Sequence, residues 1–149
     1  MFKDEKLEKF CNDKWEIAKA LSERDGHSPM EVHIAWRDMK FSPFPIDKLL
    51  ESGVQPTAIM DMAFSVAVEQ GACALIITAN TMTLDNKKFD PEAEEVEQAL
   101  RDHGKLCLIQ VVEFLWGAAY SRMAEKTESA GQVFFQDRSG FTSQGCETQ

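Results

Sequence analysis

Two long apolar runs constrain this chain more than anything else in it: Cys73-Ala74-Leu75-Ile76-Ile77-Thr78-Ala79 and Leu106-Cys107-Leu108-Ile109-Gln110-Val111-Val112. Each is apolar at both odd and even positions. A strand of that kind needs cover on both faces, so both runs are expected in the interior of a sheet. Helical patterns surround them. In residues 4–23, Leu7, Phe10, Cys11, Trp15, Ala18 and Leu21 recur at three- and four-residue steps, and Asp25-Gly26-His27-Ser28-Pro29 breaks the pattern.

Residues 31–39 alternate, with Val32, Ile34 and Trp36 on one face and His33, Ala35 and Arg37 on the other, as in a half-buried strand. Phe41-Ser42-Pro43-Phe44-Pro45 reads as a loop. A short helix is expected over 47–52. A longer one opens at Pro56, where a missing N–H costs least, and closes at Gly71. Asp90-Pro91, followed by Glu92, Glu94 and Glu95, is a helix start, with Gly104 as its stop. Residues 114–126 have a helix-like apolar cluster, and 132–135 read as a short strand.

The implied order, α-β-α-β-α-β-α-β, predicts a single α/β domain over residues 1–149. It would have three layers and a mostly parallel sheet of about four strands. The polar stretch 139–149 reads as a flexible tail. An α+β fold with an antiparallel meander is the alternative, if residues 113–125 continue the preceding strand and turn back into the strand at Gln132.

The net charge of −9 repels phosphate backbones and anionic membrane surfaces, so neither nucleic acid nor membrane is an expected partner. No apolar run approaches the roughly 20 residues of a membrane helix. The charged start Met1-Phe2-Lys3-Asp4-Glu5-Lys6 does not resemble a secretory leader, so a cytoplasmic location is expected. The cysteines Cys11, Cys73, Cys107 and Cys146 have no metal-like spacing and read as reduced thiols. His27, His33 and His103 form no HxxxH or HExxH pattern, so no metal or other cofactor is expected. His103 suits a helix C-terminus, and His33 reads as a structural histidine. Nucleophile-elbow, dinucleotide and P-loop signatures are absent from the sequence.

The small polar residues that end the first apolar run, Thr78, Asn80, Thr81 and Thr83, are the most pointed candidates for a site. Amide and hydroxyl side chains can donate to a carboxylate, and ligands of open α/β sheets sit beyond the strand carboxyl ends. The segment from Gly71 to Met82 resembles the "GAD–apolar strand–CNTMH" segment of the aspartate/glutamate racemase family. His27-Ser28-Pro29 leading into the next strand is similar to that family's first helix-to-strand passage. Phe134-Phe135-Gln136-Asp137-Arg138, followed by Phe141-Thr142, is similar to its late strand and threonine-bearing loop.

Ala79 stands where the family's nucleophilic cysteine would fall, and Thr83 where its histidine would. Racemisation there uses a thiolate on each face of the substrate, and alanine can neither remove nor return a proton. The resemblance therefore implies carboxylate binding at Asn80 and Thr81 without racemase chemistry. Thr83 would line the pocket, and Arg37 or Arg138 would supply a guanidinium.

The leading expectation is a non-catalytic domain that binds a small carboxylate metabolite and self-associates as a homo-oligomer. Two rivals stand beside it. One is an assembly module without a small-molecule site, using Trp36, Phe41, Phe44 and Trp116 as contacts. The other is an enzyme of unrecognised type built on His33, Glu113 or Asp137.

Overall fold

In a computed structural model of the chain, residues 4–83, 98 and 104–144 are described. The expected helix start at Asp90 and the residues His103 and Cys146 lie outside them. The elements run α1 (Glu5–Asp25), β1 (Glu31–Ala35), β2 (Phe41–Pro43), α2 (Ile46–Glu51), α3 (Pro56–Glu69), β3 (Ala74–Thr83), β4 (Lys105–Phe114), β5 (Ala119–Ser129) and β6 (Gln132–Gln144).

Local chemistry sets the helix ends. The Asp4 carboxylate accepts from the N–H groups of Lys6 and Leu7 at 2.8 and 3.1 Å, satisfying two donors that the first turn of α1 leaves over. Gly26 ends that helix at φ 86°, with its N–H donating to the Ser22 carbonyl. Pro56 occupies the first turn of α3.

Among the described residues six strands form one sheet in the order β2-β1-β3-β4-β5-β6. Every neighbouring pair is antiparallel. This corrects the expectation of a mostly parallel, three-layer α/β sheet of about four strands; the fold is α+β, with the antiparallel meander.

The physical reason lies in the connections. Only Leu115-Trp116-Gly117-Ala118 separates β4 from β5, and Ala130-Gly131 alone separates β5 from β6. Parallel neighbours need a crossover of about a dozen residues or more. Ala130 and Gly131 both have positive φ, 52° and 80°, as a tight two-residue hairpin requires. The expected helix over 114–126 is therefore a turn followed by β5. Its residues alternate, with Tyr120 and Ala124 packing toward α1.

The first half of the sheet has a subtler history. Since β1 is antiparallel to both β2 and β3, those two run in the same direction. The α2–α3 crossover does join co-directional strands, as a helical crossover is expected to do. The Phe41–Pro43 stretch, expected as a loop, forms the three-residue strand β2 on the outer edge, so β1 lies between the two. Pro43 is tolerated there because an edge strand can forgo one ladder hydrogen bond.

Helices cover both faces of β1 and β3. On one face Leu7, Cys11 and Trp15 of α1 pack over Ala35, Ala74, Ile76, Leu108 and Val112. On the other, Ile59, Ala63 and Ala67 of α3 and Ile46 of α2 pack over Val32, Ile34 and Leu75. This double cover explains why residues 73–79 are apolar at successive positions.

Candidate functional site

The five residues expected at a ligand site do not converge. Asn80 faces α1, where its Oδ1 accepts from the Ser28 N–H at 2.6 Å and its Nδ2 donates to Ser22 Oγ at 3.2 Å. The carboxamide thus ties the end of α1 and the start of β1 to β3. Ser28 Oγ, alongside, is a buried oxygen without a partner among the described residues. Thr81 and Thr83 project from the opposite face, because successive strand residues alternate. Thr83 Oγ1 lies 3.3 Å from Cys107 Sγ. Arg138, on β6, pairs with Glu125 at 3.4 Å. Three strand spacings separate β3 from β6, or roughly 14 Å. Arg37 lies beyond the other end of the β1–β3 ladder. Ala35 pairs with Ala74, and Asn80 is roughly 20 Å further along β3.

The face toward α1 holds a polar cluster whose donors and acceptors are paired with one another. Gln110, fully buried, donates from Nε2 to the Cys11 carbonyl at 2.9 Å and to Thr78 Oγ1 at 3.2 Å. Its Oε1 accepts from Arg122 Nε and Nη2 at 3.0 and 2.7 Å. Arg122 also donates to Asn12 Oδ1 and to the Cys11 carbonyl. Its guanidinium lies 4.8 Å from the Trp15 ring centre and 4.2 Å from that of Phe141. Burial pushes the Cys11 thiol up to about 12, which leaves it protonated and unreactive at neutral pH. This cluster joins helix to sheet.

The opposite end of the ladder is open. Past the last residue of β1, a cleft of about 390 Å³ is bounded by Arg37, the α3–β3 turn at Gly71-Ala72-Cys73, and Leu115-Trp116 of the β4–β5 hairpin. Val68 of α3 completes the wall. The backbone fixes the floor: Cys73 N–H donates to the Ala35 carbonyl at 2.9 Å and Leu115 N–H to the Cys73 carbonyl at 3.0 Å. Arg37 Nε donates to the Gly71 carbonyl at 3.2 Å. Among the described residues this is the one hydrogen bond the Arg37 side chain makes, so both Nη groups remain available. Large apolar groups stand in water beside it: Trp116 is 72% exposed and Val68 54%. Burial raises the pKa of Cys73, whose Sγ lies 3.7 Å from the Trp36 carbonyl oxygen.

A second cavity of about 300 Å³ opens where β2 ends, between Met30–His33 and Pro43–Lys48. Its charges, Glu31, Asp47 and Lys48, are of mixed sign. His33 borders it, with its ring edge-on to Phe10 at 5.1 Å. Burial, helped by Lys14, lowers the His33 pKa. Among the described residues no group of three or more His, Cys, Asp or Glu is placed to hold a metal ion, and no helix is long and apolar enough to cross a membrane.

Sequence reasoning named Arg37 and Trp116 separately and missed that they share a cleft with Val68 and Cys73. The available signal was Leu115-Trp116-Gly117, two large apolar residues against a turn glycine. Leu115 packs partly against the α2–α3 side of the core, while Trp116 at the turn stays exposed. A scan against protein-family models, a search of curated proteins and a search of solved structures each give no match to this chain.

Proposed function

We propose that this chain is a non-catalytic binding domain that holds a small carboxylate-bearing molecule in the cleft beside Arg37. The observation that carries the reading is the state of that guanidinium. One bond to the Gly71 carbonyl orients it, and among the described residues both Nη groups are unpaired at the mouth of a largely apolar cleft. Paired N–H donors in a plane match the two oxygens of a carboxylate. The volume falls within the range of small-molecule sites. Binding rather than catalysis is favoured by the lining, whose titratable side chains are Arg37 and Cys73. A thiol with a raised pKa is a poor nucleophile at neutral pH, and among the described residues no imidazole or carboxylate lines the cleft to activate it.

Thermal melting against acetate, succinate, phenylacetate and their amides tests this. The acids stabilise the protein and the amides do not, and Arg37→Gln abolishes the difference. Ligand at one hundred times its Kd adds about 2.7 kcal/mol. Equal shifts for acid and amide, or for wild type and variant, remove Arg37 from the role.

Self-association is a second reading, favoured by the edge of the sheet. β6 is a 13-residue strand whose outer side pairs with no described strand, a natural template for a second copy. Sedimentation showing a monomer at all concentrations would dispose of it. Cys11, Cys73 and Cys107 are free thiols, which fits a reducing compartment such as the cytoplasm. The charge of −9 argues against nucleic acid as a partner.

A further inference from the structure

We infer that the ligand of the Arg37 cleft is a monocarboxylate bearing one bulky apolar group, aryl or branched alkyl, and no ammonium group; the inference rests on Arg37 as carboxylate anchor. Three features of the cleft select this class.

The first is the wall. Val68, Leu115 and Trp116 form it, and Phe64, one helical turn before Val68, is 40% exposed. Apolar side chains of this size, grouped around a concavity, gain by being covered, at roughly 25 cal/mol per Å² removed from water. The indole of Trp116 also offers a flat face for stacking, since its contact with Phe114 is a tilted one at 5.2 Å.

The second is the single cation. With Arg37 as the one charged lining group among the described residues, one carboxylate can be matched. A second carboxylate would lie against the apolar wall and lose hydration without a partner.

The third is the shortage of acceptors for an amine. Among the described residues no carboxylate side chain lines the cleft; the Asp4 carboxylate, which acts on Cys73 from nearby, is taken up by the Lys6 and Leu7 N–H groups, and the Gly71 carbonyl has one of its two lone pairs occupied by the Arg37 Nε–H. An α-ammonium group, with three donors, would therefore be under-satisfied and would stand beside the Arg37 cation, which disfavours free amino acids. For size, about 390 Å³ corresponds to about a dozen waters at roughly 30 Å³ each, the scale of an aryl-acetate.

Calorimetric titration with indole-3-acetate, indole-3-acetamide, tryptophan and succinate decides the matter, using wild type, Arg37→Gln and Val68→Asn. Both substituted residues are exposed, and matching circular-dichroism melts establish that the variants are folded. The expected result is indole-3-acetate binding at least tenfold more tightly than the other three. Arg37→Gln erases the preference for acid over amide. Val68→Asn weakens indole-3-acetate at least tenfold and leaves succinate unchanged.

Succinate or tryptophan binding as tightly as indole-3-acetate, with Arg37 still required, overturns the ligand class and leaves the anchor standing. Binding of indole-3-acetate that survives Arg37→Gln intact, or no binding of any probe, overturns the anchor and the class together. A concentration-dependent dimer that Trp116→Ala dissociates, with no probe bound, assigns the cleft to a second copy and overturns both as well.

Discussion

Arg122 and Arg37 are the same residue type in opposite situations. Arg122 sits between α1 and the sheet, with hydrogen bonds to Gln110, Asn12 and the Cys11 carbonyl and aromatic rings on either side. Nearly all its donors are spent inside the protein. Arg37 is exposed, has one bond among the described residues, to a backbone carbonyl, and faces an apolar cleft. A guanidinium taken partly out of water, as the half-buried Arg122 is, needs partners within the fold, because desolvating it without them is costly. An exposed one incurs no such cost and can hold its donors for a ligand. Charge alone therefore says little about role; the count of satisfied donors says much more.

Four measurements would break or sharpen that contrast. Arg122→Met is expected to cost the most, about 2–3 kcal/mol in urea unfolding, because it strands the buried Gln110 oxygen and removes a charged donor set. A cost below about 0.5 kcal/mol would mean the cluster is not structural. Asn80→Ala comes next, at about 1–2 kcal/mol, from losing its bonds to Ser28 and Ser22. It should leave any ligand shift in the Arg37 cleft untouched, and a lost shift would move the site to Asn80.

The His33 effect is smaller and depends on pH. Phe10, Lys14 and Glu31 surround that ring, and burial, with Lys14 second, holds its folded pKa below the ordinary 6.5. The unfolded chain then binds more protons as pH falls below about 6.5, so stability declines through that window until the folded ring also titrates. His33→Leu should flatten this decline; an unchanged slope would assign it to other groups. Arg37→Gln should change stability least, within about 0.5 kcal/mol, as expected of an exposed side chain. A larger loss would make it a structural residue like Arg122.

Much of the local structure was legible in the sequence. The stripe from Leu7 through Trp15 and Ala18, the Gly26 stop and Pro56 at a helix start are all local signals and all appear in the fold. The apolar runs at 73–79 and 106–112 became adjacent inner strands, β3 and β4. Direction was not legible. A helix between two strands suggests a parallel pair, and β2 and β3 do run the same way. But β2 has three residues containing a proline, too faint a strand signal to show that β1 lies between them. The second half failed for another reason: residues 114–126 fit a period of 3.6 and a period of 2 alike. The candidate cleft was illegible because Arg37, Val68, Cys73 and Trp116 come from four separate segments.

By itself, then, the sequence determined which segments must be buried and where the helices start and stop, since those depend on a residue and its near neighbours. Only the tertiary structure decided the strand directions, the use of Asn80 as a tie and the meeting of Arg37 with Trp116. Each of those depends on contacts between residues far apart in the chain, whose geometry follows from the lengths of the connecting turns and from the packing of the helices on the sheet.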